Sequence, residues 1–245
     1  MKPERNKWER YKFMKTSEWL APYLPETRKL NKNNFWAMIN KFGTVYLKPI
    51  RGRRGEGIIK ISLKEDNVFE MHHENKRKTI RSEKEAYSYI QKKMKSRSYI
   101  VQQPVRLTEI NGRPIDFRVI VQRRNLDEPW TVTAKVVKVA GKGYIVTNHA
   151  RSKGTILTVE EAIQKSPLKK LCQEELLFNI DRIALLASQE LTRHYPYHRI
   201  YGYDIGVEPD GKIMIIEANS DPMFFHFRQL KDKTMYRRIM EYKRG

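Results

Sequence analysis

The chain has 245 residues, of which 40 % are hydrophobic, enough to fill the core of one large domain or two small ones. No run approaches the roughly 18 apolar residues of a membrane span, and the start, MKPERNKWER, lacks a signal peptide's apolar stretch, so the sequence reads as a soluble, cytoplasmic protein with no membrane partner. The net charge of +21 calls for an anionic partner, yet the lysines and arginines are spread along the chain without zinc-ligand spacing or an RNA-binding aromatic signature, which argues against nucleic acid.

The first 30 residues are basic and aromatic, and Pro22 and Pro25 break any helix before "LPETRKL". A helix is predicted from about Asn34 to Phe42, then a strand at "TVYLKPI", the turn-rich "RGRRGEG" and a second strand at "IIKISL", which together make a hairpin with a glycine tip. A helix from about Ser82 to Lys95 follows, with Ser82 and Glu85 at capping-box spacing. "SYIVQQPVRL" reads as a strand that Pro104 interrupts, and "DFRVIVQRR", "WTVTAKVVKVA" and "GYIVTN" as consecutive antiparallel strands. The longest predicted helix runs from about Pro167 to His194 with apolar residues at helical spacing and Cys172 inside it; alone, this cysteine forms no internal disulfide. The hairpin "YGYDIGVEPDGKIMIIEANS" and a basic helical tail complete the chain. Hairpins and helices without regular βαβ alternation indicate an α+β fold in two lobes.

Within the last hairpin, a short loop centred on Asp210 and Gly211 pairs residues so that Asp204 faces Glu217. Directly opposed carboxylates destabilise a sheet unless a positive group lies between them. Asn219 shares the strand face of Glu217, so three oxygen-bearing side chains converge, a donor set that suits Mg²⁺ shared with phosphates. A salt bridge to a lysine or arginine, or a polar strand end facing water, fits the same residues. "KPIRGRRGEG" adds Lys48 on a strand and three glycines, Gly52, Gly55 and Gly57, whose amides can approach phosphate; it is neither a Walker A loop nor a Rossmann turn.

The segments "LPET", "VYLKPIRGRRGEGIIKI", "YIVQQPVRL", "GRPIDFRVIVQ", "YIVTN" and "YGYDIGVEPDGKIMIIEANSDP", in this order and spacing, resemble an ATP-grasp protein, and more narrowly the spore-coat-associated YheC/YheD branch. The resemblance implies two α+β lobes with ATP between them: an N-terminal segment (1–30) packing on the core, a lobe with the glycine-rich lid (31–100), a lobe with the metal site (101–230) and a basic tail (231–245). It implies that Lys48 and an earlier lysine, Lys7 with Lys12 as competitor, contact phosphates under a lid from Gly52 to Gly57. Gln102, Gln103 and Val105 fall at the adenine hinge, where relatives often have glutamate at the position of Gln103. Asp116 falls at the ribose, Arg118 at phosphate or acyl-phosphate, Lys138 and Asn148 opposite the reacting phosphate, and Asp204, Glu217 and Asn219 at the metal.

ATP and Mg²⁺ are the implied cofactors, and the implied activity is a carboxylate–amine or carboxylate–thiol ligase working through an acyl-phosphate. Its substrate is expected to be acidic, a peptide or polymer, linked to sporulation or the spore coat. A kinase acting on a hydroxyl and a non-catalytic basic coat protein are the alternatives. Members of that branch usually carry an N-terminal domain ahead of the grasp core, so a partner chain or peptide is expected to help build the acceptor site. Trp8, Trp19, Trp36, Trp130 and the "MFFHF" aromatics read as packing residues, and His72, His73 and His226 as solvated or packing histidines.

Overall fold

The computed structural model describes residues 6–52, 55–65, 67–94, 97–144, 147 and 154–244. Asn6 caps the first helix, α1 (Lys7–Thr16), by accepting a hydrogen bond from the Glu9 amide, an element that the sequence reading did not anticipate. After a 3₁₀ turn at Ala21–Tyr23, "LPETRKL" supplies the short strand β1 (Thr27–Lys29). Asn31 caps α2 (Lys32–Phe42), and the expected hairpin follows as β2 (Thr44–Pro49) and β3 (Ile59–Glu65).

Two further strands, β4 (Val68–His73) and β5 (Lys76–Ile80), extend this sheet. Their turns place Asn67 and Glu74 at positive φ, of which only asparagine is a familiar signal. Next come α3 (Glu83–Met94), with Ser82 Oγ accepting from the Glu85 amide, and β6 (Tyr99–Gln102), which stops short of Pro104. The first sheet has the order β1-β6-β2-β3-β4-β5. Alternation along its strands sends Val45, Leu47, Ile59, Ile61, Phe69, Met71 and Val101 to one face, where Phe35, Met38 and Ile39 of α2 and Ala86 and Ile90 of α3 cover them.

Residues 103–108 lead to the second sheet: β7 (Glu109–Ile110), β8 (Arg113–Gln122), β9 (Thr131–Val139), β10 (Thr155–Leu157), β11 (Ile200–Val207) and β12 (Ile213–Asn219). Its order is β10-β9-β8-β11-β12, with β7 paired to β8. The third antiparallel partner expected at "GYIVTN" is instead β10: Gly143 and Tyr144 lie at a turn, Thr147 is outside any strand, and residues 145, 146 and 148 lie outside the described ones. Helix α4 (Val159–Gln164) begins with a complete capping box, Thr158 and Glu161.

The long helix predicted from Pro167 is two elements. A 3₁₀ turn, Pro167–Lys170, breaks at Leu171, and α5 spans Gln173–Thr192 with the exposed Cys172 at its N-cap rather than within it. The leucine spacing runs through the break because Leu168 and Leu176 both reach the same core. Helices α1 and α5 cover the face of the second sheet that carries Phe117, Val119, Val137, Tyr203, Ile205 and Ile215. On its other face, α6 (Phe225–Gln229) and α7 (Thr234–Arg244) bury Ile120, Ala134 and Val136 beneath Phe227 and Ile239, so the basic tail is part of the packed structure. Each sheet keeps a second face, or part of one, free of helices, and these two surfaces form the walls of a cleft.

Candidate active site

Period-two alternation determines what the cleft contains. With Val45 and Leu47 committed to the core, Tyr46 and Lys48 of β2 point the other way, beside Gln102 of β6, which pairs with Tyr46. Across the cleft, Asp116 and Arg118 of β8, Lys138 of β9 and Asp204 of β11 occupy the non-core face of the second sheet. Asp116 pairs in register with Lys138, and Arg118 with Asp204, so opposite charges sit on adjacent strands.

Asp204 does lie opposite Glu217, as the sequence predicts, but by a different route. Next to the turn, Glu208 bonds Lys212 and Val207 pairs with Ile213, one residue out of the expected register. A β-bulge at Ile216 restores it: Ile205 pairs with Ile215, and Asp204 with Glu217. The bulge places Ile216 and Glu217, consecutive residues, both on the cleft lining.

The opposed carboxylates each meet cations of the protein, but no single cation bridges the two among the described residues. Lys138 Nζ lies 2.7 Å from Asp204 Oδ1 and 3.0 Å from Asp116 Oδ1, and Arg118 reaches Asp204 at 3.0 Å. Lys7 Nζ approaches Glu217 at 3.6 Å, whereas Lys12 is exposed, so of the two lysines it is Lys7 that faces this region. Asp116 and Arg118 are both buried and pair with different partners, so they are not an ordinary surface ion pair. Burial opposes the charge on Asp204, but Arg118 and Lys138 outweigh it and hold the carboxyl at about 2. Asp116 is pushed up by burial and by Asp204, against Lys138 and a hydrogen bond from Thr147.

Lys48 is anchored differently. Its ammonium donates to Gln102 Oε1, Gln102 Nε2 donates to Thr27 Oγ1, and Thr27 donates to the Pro25 carbonyl. Gln102 is thus a positioning residue for Lys48. Burial lowers the Lys48 pKa from its usual 10.5 to about 8, with nearby Glu217 opposing. Gln103 is tied to Glu26 in both directions: its amide N–H donates to the Glu26 carbonyl, and its Oε1 accepts from the Glu26 amide.

At the other end the cleft is apolar. A Cβ on Gly206 would lie 2.5 Å from Leu107 Cδ2 and 3.1 Å from both Ile216 Cδ1 and Val105 Cγ1, so a glycine is needed for these three side chains to meet over β11. Gly206 is two residues along β11 from Asp204, so the apolar patch sits roughly 7 Å from the charged cluster.

Ten of the predicted residues line this one cleft: Lys48, Gly55, Gln102, Gln103, Val105, Asp116, Arg118, Lys138, Asp204 and Glu217. Lys7 lines an adjoining pocket with Lys48 and Glu217, while Gly52, Gly57 and Asn219 fall outside the lining, although Asn219 keeps the strand face of Glu217, opposite Gly202. Asn148 lies outside the described residues. Tyr46, Ile58, Leu107, Thr147 and Ile216 also line the cleft without being among the expected residues, although the two-residue spacing of Tyr46 to Lys48 marks it in the sequence. Of the two alternatives for His226, solvated or packing, the structure shows a packed one. This histidine is neither solvated nor remote: it is buried on the cleft lining, and burial, then Arg118 and Lys138, push its pKa down to about 3.

The chain is similar to known proteins in sequence and in fold. A model of the YheC/D-like ATP-grasp family matches residues 2–244. The chain belongs to this family. It is 32 % identical over 224 residues to the endospore coat-associated protein YheD of Bacillus subtilis (strain 168), an alignment covering 89 % of this chain and 48 % of that protein. The chain therefore spans about half the length of this curated relative. Among solved structures, the ADP complex of the N5-carboxyaminoimidazole ribonucleotide synthetase PurK superposes with a TM-score of 0.54 at 15 % identity, covering 96 % of this chain and 50 % of that one. The L-amino acid ligase of Bacillus licheniformis gives 0.52 at 12 % identity, covering 88 % and 40 %. These likenesses give the ATP-grasp fold, with ligases among its structural neighbours.

Proposed function

We propose that the chain is an ATP- and Mg²⁺-dependent ligase that activates a carboxylate as an acyl-phosphate and passes the acyl group to an amine or thiol. The observation that carries this reading is the cleft's charge arrangement. Four cations, Lys7, Lys48, Arg118 and Lys138, surround three carboxylates at one end, with an apolar patch at the other. Such a cleft suits a ligand with a flat base and a polyanionic tail.

The base packs on Val105, Leu107 and Ile216, where the Gln103 carbonyl and the Val105 N–H, which have no hydrogen-bond partners among the described residues, can read its edge. Lys48, held by Gln102, binds phosphate oxygens. The carboxylates of Asp204 and Glu217, with Asn219 next on the strand, form a hard oxygen donor set that fits Mg²⁺. When bound, the ion supplies charge neutralisation on the phosphates. A substrate carboxylate oxygen attacks the γ-phosphorus, the bond to the β,γ-bridging oxygen breaks and ADP leaves. A nucleophile then attacks the acyl carbon, phosphate departs and the nucleophile loses its proton. Arg118 and Lys138 stabilise the charge on the transferred group, because preorganised cations in a partly dry cleft act without reorganisation.

The net charge of +21 supports an acidic peptide or polymer as acceptor, and the relative's coat association supports a role at the spore coat. Hydroxylamine trapping tests the chemistry: with ATP, Mg²⁺ and an acidic peptide, hydroxamate should form with stoichiometric ADP. Phosphate found on a hydroxyl would make the protein a kinase, and no ADP from any acid tested, despite nucleotide binding, would favour a non-catalytic coat protein.

A further inference from the structure

A second groove opens beside the hinge, between the first sheet and the loops of the second. One wall is a cross-strand row in which Lys60 of β3 pairs with His72 of β4, and His72 with Arg77 of β5. Arg113 and Tyr144 face it from the other side. The row begins at Tyr46, which pairs with Lys60 and lines the nucleotide cleft. His72 is two strands further out, roughly 10 Å by strand spacing, beyond a base held at the hinge.

The groove's charges are unevenly satisfied. Arg77 is tied to Glu70, and Arg106 to Glu208 and Asp210. Lys60, half-buried, and Arg113 have no ion-pair partner among the described residues, and the one unpaired carboxylate on the lining, Glu109, is exposed. His72 is 5 % exposed, and its Nε2 has no hydrogen-bond partner among the described residues. Burial, then Arg77, lowers its pKa, and a hydrogen bond from the ring to the Gly143 backbone opposes them. With one ring nitrogen giving its proton to the Gly143 carbonyl, Nε2 donates only when the ring is charged, a state that an anion held by the two neighbouring cations would favour.

We propose that this groove is a second anion site beside the nucleotide cleft, in which Lys60 and Arg113 hold the carboxylate or phosphate group of a small ligand and His72, charged when the anion is bound, donates to it from Nε2. The inference does not rest on the ligase reading.

The test is side-chain NMR of His72 in the full chain, titrated separately with inorganic phosphate and N-acetylglutamate at matched ionic strength, without and with saturating ADP. His226 reports ADP in the same spectra, so a failure of the nucleotide reading shows separately. The expected result is a saturable His72 shift with one or both anions that survives ADP, and a midpoint at least about tenfold weaker in the double variant Lys60→Gln/Arg113→Gln. An unchanged melting temperature checks that the variant is folded, and His72→Gln, which keeps a donor, should retain more affinity than His72→Phe. Absence of a saturable shift with either anion, a shift that ADP abolishes, or a midpoint unchanged in a folded double variant would overturn the proposal.

Discussion

Nucleotide affinity should fall as pH rises above about 8, and the reason is Lys48. In the ligand-free protein burial holds its pKa at about 8, against the usual 10.5. Phosphate oxygens favour the charged amine and raise that pKa in the complex, so above pH 8 binding must take up a proton that the free protein has lost. Affinity is therefore fully present below pH 8 and lost as pH rises, by about tenfold per unit. If phosphate restores the ordinary pKa, the loss totals roughly 3 kcal/mol. Calorimetric titration of ADP without Mg²⁺, from about pH 7 to about pH 9.5, reads this directly. Lys48→Arg is the control: a guanidinium stays charged throughout, so its profile should be flat even if its affinity is lower. A wild-type Kd that is constant over the range, or an equal slope in Lys48→Arg, would refute the role given to Lys48.

The other predictions concern positioning and packing. Gln102→Leu keeps the volume but removes the acceptor that fixes Lys48, so ADP affinity should fall about tenfold while the melting temperature changes little; equal affinity would show that Lys48 needs no anchor. Gly202→Ala would place a Cβ 2.4 Å from Pro222 Cβ, backed by Arg118 at 3.1 Å, so either the loop after β12 shifts or the sheet strains; urea unfolding should show a loss of about 1–3 kcal/mol, and an unchanged midpoint would contradict the close packing.

Much of the site was legible because alternation along strands is a strong constraint. Once Val45 and Leu47 are apolar, Lys48 must face away from the core, and the same rule pairs Asp116 with Arg118 on one face of β8. The hairpin register was less secure. The three-residue tip and the bulge at Ile216 each displaced the pairing by one residue, in opposite senses, so the right carboxylates met by compensation. Strands β4 and β5 escaped notice because β5, "KRKTI", is almost wholly exposed and shows no apolar alternation. The break before Cys172 was hidden because leucines on both sides serve one core. Thr147 and His226 were beyond reach for another reason: each acquires its position from tertiary packing, with no local pattern to mark it.

The central claim, that this cleft binds nucleotide with Mg²⁺ against Glu217, is tested most directly by thermal denaturation with a non-hydrolysable ATP analogue, with and without Mg²⁺, in the wild type and Glu217→Gln. The account predicts a magnesium-dependent rise in melting temperature that shrinks in the variant, because loss of one carboxylate removes charge that holds the cation. No rise at saturating nucleotide, or an equal magnesium-dependent rise in Glu217→Gln, would contradict it.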